Sequence, residues 1–310
     1  MRYFSLNEYC KQTFGSKVYR LSLNGGMTCP NRDGSLSVGG CTFCSEGGSG
    51  DFAASYDISI SAQIAEAKTR IQNKANCDKF IAYFQAYTNT YAPISHLRRI
   101  YSEALENPAI VALSIGTRCD CLGDEVLDLL EELSQTKWPG QTGKIKKPIW
   151  IELGLQTIHD TTHARLNTHT TVALFDTAVA KLHARGVSVI AHVILGLPGE
   201  TQEMMLETVS HVASLPVSGI KLQLLHILKG TKLALEYGSD PFPLFELEEY
   251  CDFLIDCLEI LPPNMVIHRL TGDGPRKLLV APLWSTDKKR VLNTIHKRLG
   301  ERDSWQGKRF

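Results

Sequence analysis

The sequence predicts an α/β fold, a partial (β/α)6 barrel with a short C-terminal extension. Three observations carry this. Six strand-like apolar segments alternate with six helical patterns between residues 17 and 261. The strand segments are almost continuously apolar, as strands are when a parallel sheet is covered on both faces. Six units also fall short of the eight that close a full barrel.

Residues 1–16 read as a short helix and lead-in, and 17–23 (KVYRLSL) as the first strand, which runs into a glycine-rich stretch, 25–52. A helix follows over 59–74, with Ile60, Ile64, Ala67 and Ile71 at helical spacing and Ser59 or Ser61 as N-cap. Residues 79–87 (KFIAYFQAY) form an aromatic second strand, and 93–106 a helix with Leu97, Ile100, Tyr101 and Leu105 on one face. The third strand is 109–115 (AIVALSI), and the helix 124–135 opens with acids, as its dipole favours. A loop rich in glycine and lysine, 138–147, leads to the fourth strand, 149–153, and the helix 171–185 closes at Gly186. A fifth strand at 187–195 (VSVIAHVIL), a helix at 201–215, a sixth strand at 219–225 and a helix at 246–261 complete the alternation. The expected division is a barrel with its lead-in over 1–265 and an extension over 266–310, holding a short strand (266–270), a glycine-containing turn and a basic helix (288–299).

With 310 residues the chain has the length of one α/β barrel. Lys plus Arg and Asp plus Glu number 33 each, so net charge gives no reason to expect a charge-driven nucleic-acid binder. No apolar run approaches the roughly 18 residues of a membrane helix. The opening stretch MRYFSLNEYCKQ lacks a basic region followed by an apolar one, so no secretory signal is expected. Nine cysteines in a reducing cytoplasm point to metal or catalytic chemistry before disulfides.

The chemistry concentrates in the stretch GGMTCPNRDGSLSVGGCTFCSEGGSGDF. It holds Cys29, Cys41 and Cys44 at C-x11-C-x2-C spacing, Phe43 beside the last cysteine, and eight glycines from Gly25 to Gly50. Three thiolates would serve zinc, or three of the four irons of a [4Fe–4S] cluster. No histidine lies within 25–52 to close a four-ligand zinc site. An iron–sulfur cluster held by three cysteines keeps one iron open. The loop follows the first strand, and active sites of parallel α/β sheets lie at the carboxyl ends of strands.

A cysteine trio at this place, with an aromatic next to its last member, resembles the radical S-adenosylmethionine (radical SAM) superfamily. That family's common spacing is C-x3-C-x2-C. The wider gap here resembles the branch near the catalytic subunit of Elongator, and the wording CPNRDG…GGCTFC resembles a bacterial subgroup of it. The resemblance covers most of residues 15–270. It implies a [4Fe–4S] cluster on Cys29, Cys41 and Cys44, whose open iron chelates S-adenosylmethionine. It further implies one-electron cleavage to a 5′-deoxyadenosyl radical, with the electron from a donor such as flavodoxin or ferredoxin.

The same resemblance assigns cofactor contacts. VILGLPGE (193–200) is similar to the family's element that holds the adenine by backbone contacts, which gives Leu195, Gly196 and Pro198, with Gly199 also permitting close approach; a plain strand-to-helix loop is the alternative. IELGLQ (151–156) is similar to a segment whose polar side chains reach the ribose or methionyl end, which gives Glu152 and Gln156. A charge inside an apolar strand must be paired or face a cavity. Thr168 stands where the family has an arginine. The loop after the second strand lacks the glycine–glycine–acid motif, and Gln85, Thr88 and Asn89 stand in its place; Phe43 flanks the cluster. TRCDCL (117–122) ends the third strand and gives Arg118, Asp120 and Cys121 at the cavity mouth, Asp120 and Cys121 as candidate catalytic groups, with one of Cys119 and Cys121 as a hydrogen-atom donor or substrate contact; ordinary loop cysteines are the alternative. His226, Lys229, His268, Arg269 and Asp273 are further candidates for the mouth, His192 reads as a satisfied core histidine, and Cys10, Cys77, Cys251 and Cys257 as structural. Basic clusters at Lys144, Lys146 and Lys147, at Lys288-Lys289-Arg290 and at Lys297-Arg298 would grip phosphates or form solvated faces. The resemblance implies tRNA as substrate, through maturation of the side chain of a wobble uridine. A small molecule or peptide is the second possibility, and a non-enzymatic zinc or iron–sulfur protein the third.

Overall fold

The computed structural model describes residues 2–310 apart from Ser49, Asp51, Phe52, Lys74, Ala75 and Asp273. Helix α1 (Leu6–Phe14) is capped by the Ser5 hydroxyl and ends at Gly15 in the left-handed region. Strand β1 (Tyr19–Leu23), α2 (Ile60–Gln72), β2 (Phe80–Phe84), α3 (Ile94–Glu106), β3 (Ile110–Thr117) and α4 (Asp124–Gln135) follow in the expected alternation. Ser59 caps α2 by accepting from the Ala62 N–H, while the helix end expected at Lys74 lies outside the described residues.

The expected loop at 138–147 is instead an antiparallel hairpin, β4 (Lys137–Gly140) with β5 (Gly143–Lys146), anchored by the buried Trp138. Strand β6 (Ile149–Gln156) runs three residues longer than expected and leads to a short helix, α5 (Asp160–Leu166), before α6 (Val172–Ala184). Then come β7 (Ser188–Leu195), α7 (Gln202–Ser214), β8 (Gly219–Leu224), β9 (Ile227–Leu228), α8 (Lys232–Ser239) and α9 (Leu247–Glu259). Strands β10 (Val266–Arg269) and β11 (Leu279–Ala281) and helix α10 (Lys288–Glu301) finish the chain. The sequence pattern missed α5 and α8 because each is only two turns long, too short for its periodicity to stand out.

One parallel sheet orders the strands β1-β2-β3-β6-β7-β8-β10. The six expected strands are all present. Residues 266–269, expected in the extension, add a seventh strand beside β8. The sheet curls into a half-barrel, so that Arg20 on one edge strand reaches His268 Nδ1 on the other at 2.9 Å. The main core, between sheet and helices, includes Leu23, Phe84, Leu113, Leu153, Leu195 and Leu222 from the outward faces of the strands.

The inward faces stack in layers, because side chains two apart in a strand share a face. The lowest layer is apolar: Ile81, Ala112, Trp150 and Ile190, sealed from below by Cys10, Tyr9 and Phe14 of α1. Two residues further along the same strands stand Tyr83, Ser114, Glu152 and His192. Two further still are Gln85, Gly116, Gly154 and Ile194, which line a cavity at the carboxyl ends of the strands. The fold thus places an apolar plug, a polar layer and an open cavity one above another.

Candidate active site

The cavity encloses about 270 Å³ and is lined by all three loop cysteines, Cys29, Cys41 and Cys44, facing the strand ends. The eleven residues between Cys29 and Cys41 fold into a small hairpin. Asp33 and Val38 bridge antiparallel, Leu36 N–H donates to Pro30 O at 2.9 Å, and Gly40 N–H donates to Asn31 O at 2.7 Å. This turns a long gap into a short return, so the wide spacing still delivers Cys41 beside Cys29. Arg32 ties the hairpin to the last cysteine, donating to Cys44 O at 3.1 Å and Ser45 O at 2.6 Å. Asn31 Nδ2 donates to Asn167 O at 2.7 Å and to Cys41 Sγ at 3.4 Å. The loop is further pinned by Thr42, whose N–H donates to Leu166 O and whose carbonyl accepts from Leu233 N–H, both at 2.9 Å.

None of the three cysteines is in a disulfide. Burial, reinforced by the neighbouring Cys44, pushes the Cys41 thiol up to about 12. Among the described residues no three His, Cys, Asp or Glu side chains gather tightly enough for a single ion. The sulfurs of the trio border a cavity with room beyond them.

The other predicted residues divide. Phe43, Gln85, Thr88, Glu152 and Gln156 line the cavity. Gln156 has φ +70°, the left-handed region, and its Oε1 is buried with no partner. A Cβ at Gly154 would stand 2.7 Å from Gln156 Nε2, so glycine there lets this side chain fold back over its own strand. Asn89 does not line the cavity; it is fully buried and donates through Nδ2 to Gly116 O at 2.9 Å, bracing the end of β3. Leu195, Gly196 and Pro198, expected to act through their backbone, follow the wall residue Ile194 at the end of β7 and are not among the residues that line the cavity. Alternation turns Leu195 outward into the main core and gives the wall position to Ile194, while Gly196 takes φ +89° to turn the chain out of β7. Asp120 and Cys121 border a separate groove with Pro30, Leu36, Tyr91 and Val126, since the 3-10 turn Cys119–Cys121 rotates them away from the cavity. The thiol that does border the cavity is Cys119, buried, with Sγ 3.8 Å from Gly154 O.

Arg118 lines the cavity and makes a two-pronged pair with Asp120 at 2.9 and 2.8 Å. Its third nitrogen donates to Thr168 O at 2.9 Å. A guanidinium therefore stands at Thr168 although the sequence has no arginine there. His226, Arg269 and His192 line the cavity, and Arg269 donates to Gln223 Oε1 at 3.2 Å. Asp273 lies outside the described residues. Lys229 is exposed at the rim, and His268 lies deeper, on Arg20.

The polar layer beneath the cavity was only partly foreseen. Glu152 is fully buried and accepts from Ser114 Oγ at 2.7 Å, from His192 Nε2 at 2.8 Å and from Lys221 Nζ, with Arg20 3.7 Å away. Burial alone would raise its carboxyl, but Lys221, Arg20 and His192 hold it well below the usual range. Burial and then the Lys221 charge press His192 down to about 4, so its ring is neutral at pH 7. Lys221 was missed, although a lysine inside GIKLQL carries the same signal that marked Glu152: a charge in a buried strand requires a partner.

Comparison with known proteins gives a consistent family. The profile of the Radical SAM superfamily matches residues 29–212, and that of the Radical_SAM C-terminal domain matches residues 217–301. The YtqA protein of Bacillus subtilis is 43% identical over 309 residues, spanning 100% of this chain and 93% of YtqA. The YhcC protein of Escherichia coli K12 is 38% identical over 288 residues, spanning 93% of this chain and 89% of YhcC. The archaeal Elp3 of Methanocaldococcus infernus superposes with a TM-score of 0.68 at 15% identity, covering 93% of this chain. This chain spans 64% of that Elp3 chain, and the likeness is one of fold.

Proposed function

The chain belongs to the radical SAM superfamily, and from that premise we propose that it modifies a nucleotide of tRNA, maturing the side chain of a wobble uridine. Members of the family bind a [4Fe–4S] cluster and S-adenosylmethionine. The residues here fit that pair: three cysteines outside any disulfide border one cavity, and Gln156 Oε1 points into the same wall with no protein partner. Cys29, Cys41 and Cys44 would hold the cluster, and Phe43, Gln85, Gln156 and Ile194 would border S-adenosylmethionine. When bound, the pair supplies a 5′-deoxyadenosyl radical by one-electron cleavage of the sulfonium.

The chain's own residues bind, orient and exclude water. Arg118, paired with Asp120 and held on Thr168 O, braces the wall near the cysteines. Ile194, Leu224, Leu225 and Leu228 supply the apolar side. Glu152 and His192, fixed from behind by Lys221, form a rigid polar floor on which a substrate would rest. A low-potential donor such as flavodoxin or ferredoxin would supply the electron, and nine cysteines without a disulfide suit a cytoplasmic setting. Among the described residues no helix is long and apolar enough to cross a membrane.

The observation that carries the enzyme chemistry is the convergence of the three cysteines, Gln156 and Arg118 on one cavity. Anaerobic purification tests it: about four irons and four sulfides per chain are expected, falling to near zero in Cys41→Ser. The tRNA reading is supported by the resemblance of the cysteine loop, and it is tested by comparing modified tRNA nucleosides from cells with and without the gene. An unchanged profile would remove that reading and leave the enzyme class standing.

A further inference from the structure

Exposed cations gather on one side of the cavity mouth, and the cavity chemistry does not use them. Strands β9 and β11, which follow β8 and β10, pair antiparallel, and Leu228 and Pro275 of this region line the cavity. Just outside, the Lys229 N–H donates to Leu278 O at 2.7 Å, which sets Lys229 beside Arg276 and Lys277. All three are exposed. From β11 the chain passes through the turn Leu283–Thr286, anchored by Trp284 Nε1 donating to Phe245 O at 3.0 Å, into α10. There Lys289, Arg290 and Lys297 share a shallow groove with Asn293, Thr294 and the helix-capping Asp287, and Lys297 also lies 3.5 Å from Glu301. Lys289 to Lys297 spans about 12 Å of helix.

Two further facts separate this stripe from ordinary surface charge. Among the described residues Lys229, Arg276, Lys277, Lys289 and Arg290 form no ion pair, whereas the neighbouring Arg298 and Arg302 are held by Asp252 and Asp256. The other basic cluster in the sequence is not available in the same way. Lys147 is buried and donates to Leu105 O and Asn107 O at 2.7 and 2.9 Å, and Lys146 is held by Gln135. The hairpin carrying Lys144 and Lys146 precedes β6, and so lies at the end of the barrel opposite the cavity.

We infer that this stripe, from the cavity mouth along α10, holds the phosphate backbone of an RNA substrate whose target nucleotide enters the cavity. The inference rests on the tRNA reading above. Phosphate contacts position a nucleic acid without reading its sequence, and neutral donors such as Asn293 and Thr294 commonly join lysine and arginine in them. A line of cations with interleaved hydrogen-bonding groups matches an extended polyanion better than it matches one acidic patch on an electron-donor protein.

The test titrates the cluster-loaded enzyme with unfractionated tRNA between about 50 and about 200 mM salt. Wild type is compared with Arg276→Ala/Lys277→Ala/Arg290→Ala, and with Lys144→Ala/Lys146→Ala as the control at the far end. The triple variant is expected to bind about tenfold or more weakly at low salt, and its log–log salt slope to shrink by about two to three. Its 5′-deoxyadenosine release should stay unchanged, and the control should match wild type. A triple variant with wild-type tRNA affinity overturns the inference. So does one that keeps tRNA affinity and instead loses reduction by flavodoxin, which would make the stripe a protein dock. Failure of the tRNA reading itself appears elsewhere, as an unchanged nucleoside profile in cells lacking the gene.

Discussion

Lys221 on β8 donates a hydrogen bond to the Tyr83 hydroxyl on β2 at 3.0 Å, across the interior of the half-barrel. Three strands separate β2 from β8 in the sheet, so the contact exists only because the sheet curls. The same ammonium binds Glu152, which collects Ser114 and His192. One buried lysine on β8 thus links four other strands, β2, β3, β6 and β7, beneath the cavity.

Removing it should be costly. Lys221→Met leaves Glu152 buried without its main partner, and losing one member of a buried pair typically costs about 3–5 kcal/mol. The double variant Lys221→Met/Glu152→Gln removes the stranded charge and should recover much of that loss. Urea unfolding of the two single variants and the double variant gives the coupling directly. Additive losses would mean that the pair does not act as a unit.

The floor also sets a pH dependence. His192 titrates near 4 in the fold because burial and Lys221 disfavour its charged form, against about 6.5 unfolded. Its neutral form is favoured by folding, so its contribution is fully present above pH 6.5 and is lost as pH falls toward 4. His268, also pressed well below its usual value by burial and then by Arg20, acts in the same direction. The urea midpoint should therefore drop between pH 7 and pH 5, and His192→Gln, which keeps a donor for Glu152, should flatten that drop. An equal drop in the variant would assign the effect to other groups.

How much of this was legible follows from the range of each signal. Strand identity is local: VSVIAHVIL and AIVALSI read as buried strands without any partner in view, and β7 and β3 are there. The three cysteines were legible because C-x2-C beside glycines is itself a local pattern. Side-chain destinations were legible only where parity decides them. Parity puts Glu152 and Ile194 inward and Leu195 outward. Arg118 meeting Thr168, fifty positions away, has no local trace. Lys147 shows the reverse: a run of lysines looks solvated in the sequence, but the last of them is buried on two carbonyls.

Gln156 stores strain where it lines the cavity. A non-glycine residue at φ +70° costs about 1–2 kcal/mol. Gln156→Gly relieves the backbone and Gln156→Ala does not, so the glycine variant should be the more stable of the two by about 1 kcal/mol. Both lose the side-chain amide and should bind S-adenosylmethionine about tenfold more weakly, as expected for one lost hydrogen bond in a buried site. Equilibrium dialysis with the cluster-loaded protein measures this. Wild-type affinity in either variant would remove Gln156 from the cofactor site.

The two thiols of the C-x-C turn should behave differently. Cys119 borders the cavity and is buried against Gly154, whereas Cys121 borders the outer groove beside Asp120, with Sγ 3.6 Å from Asp120 Oδ1. Burial, and next the Asp120 charge, raise both thiols, Cys119 to about 12. Both are thus S–H groups at neutral pH, and neither offers a thiolate nucleophile. Cys121→Ala should leave 5′-deoxyadenosine release and substrate conversion near wild type and change stability by less than about 0.5 kcal/mol. Cys119→Ala opens space behind Gly154 and Gln156, and should cost about 1 kcal/mol while weakening S-adenosylmethionine binding. If Cys121→Ala instead abolished conversion of the tRNA nucleotide while S-adenosylmethionine cleavage continued, the outer groove would have to open onto the cavity when substrate binds.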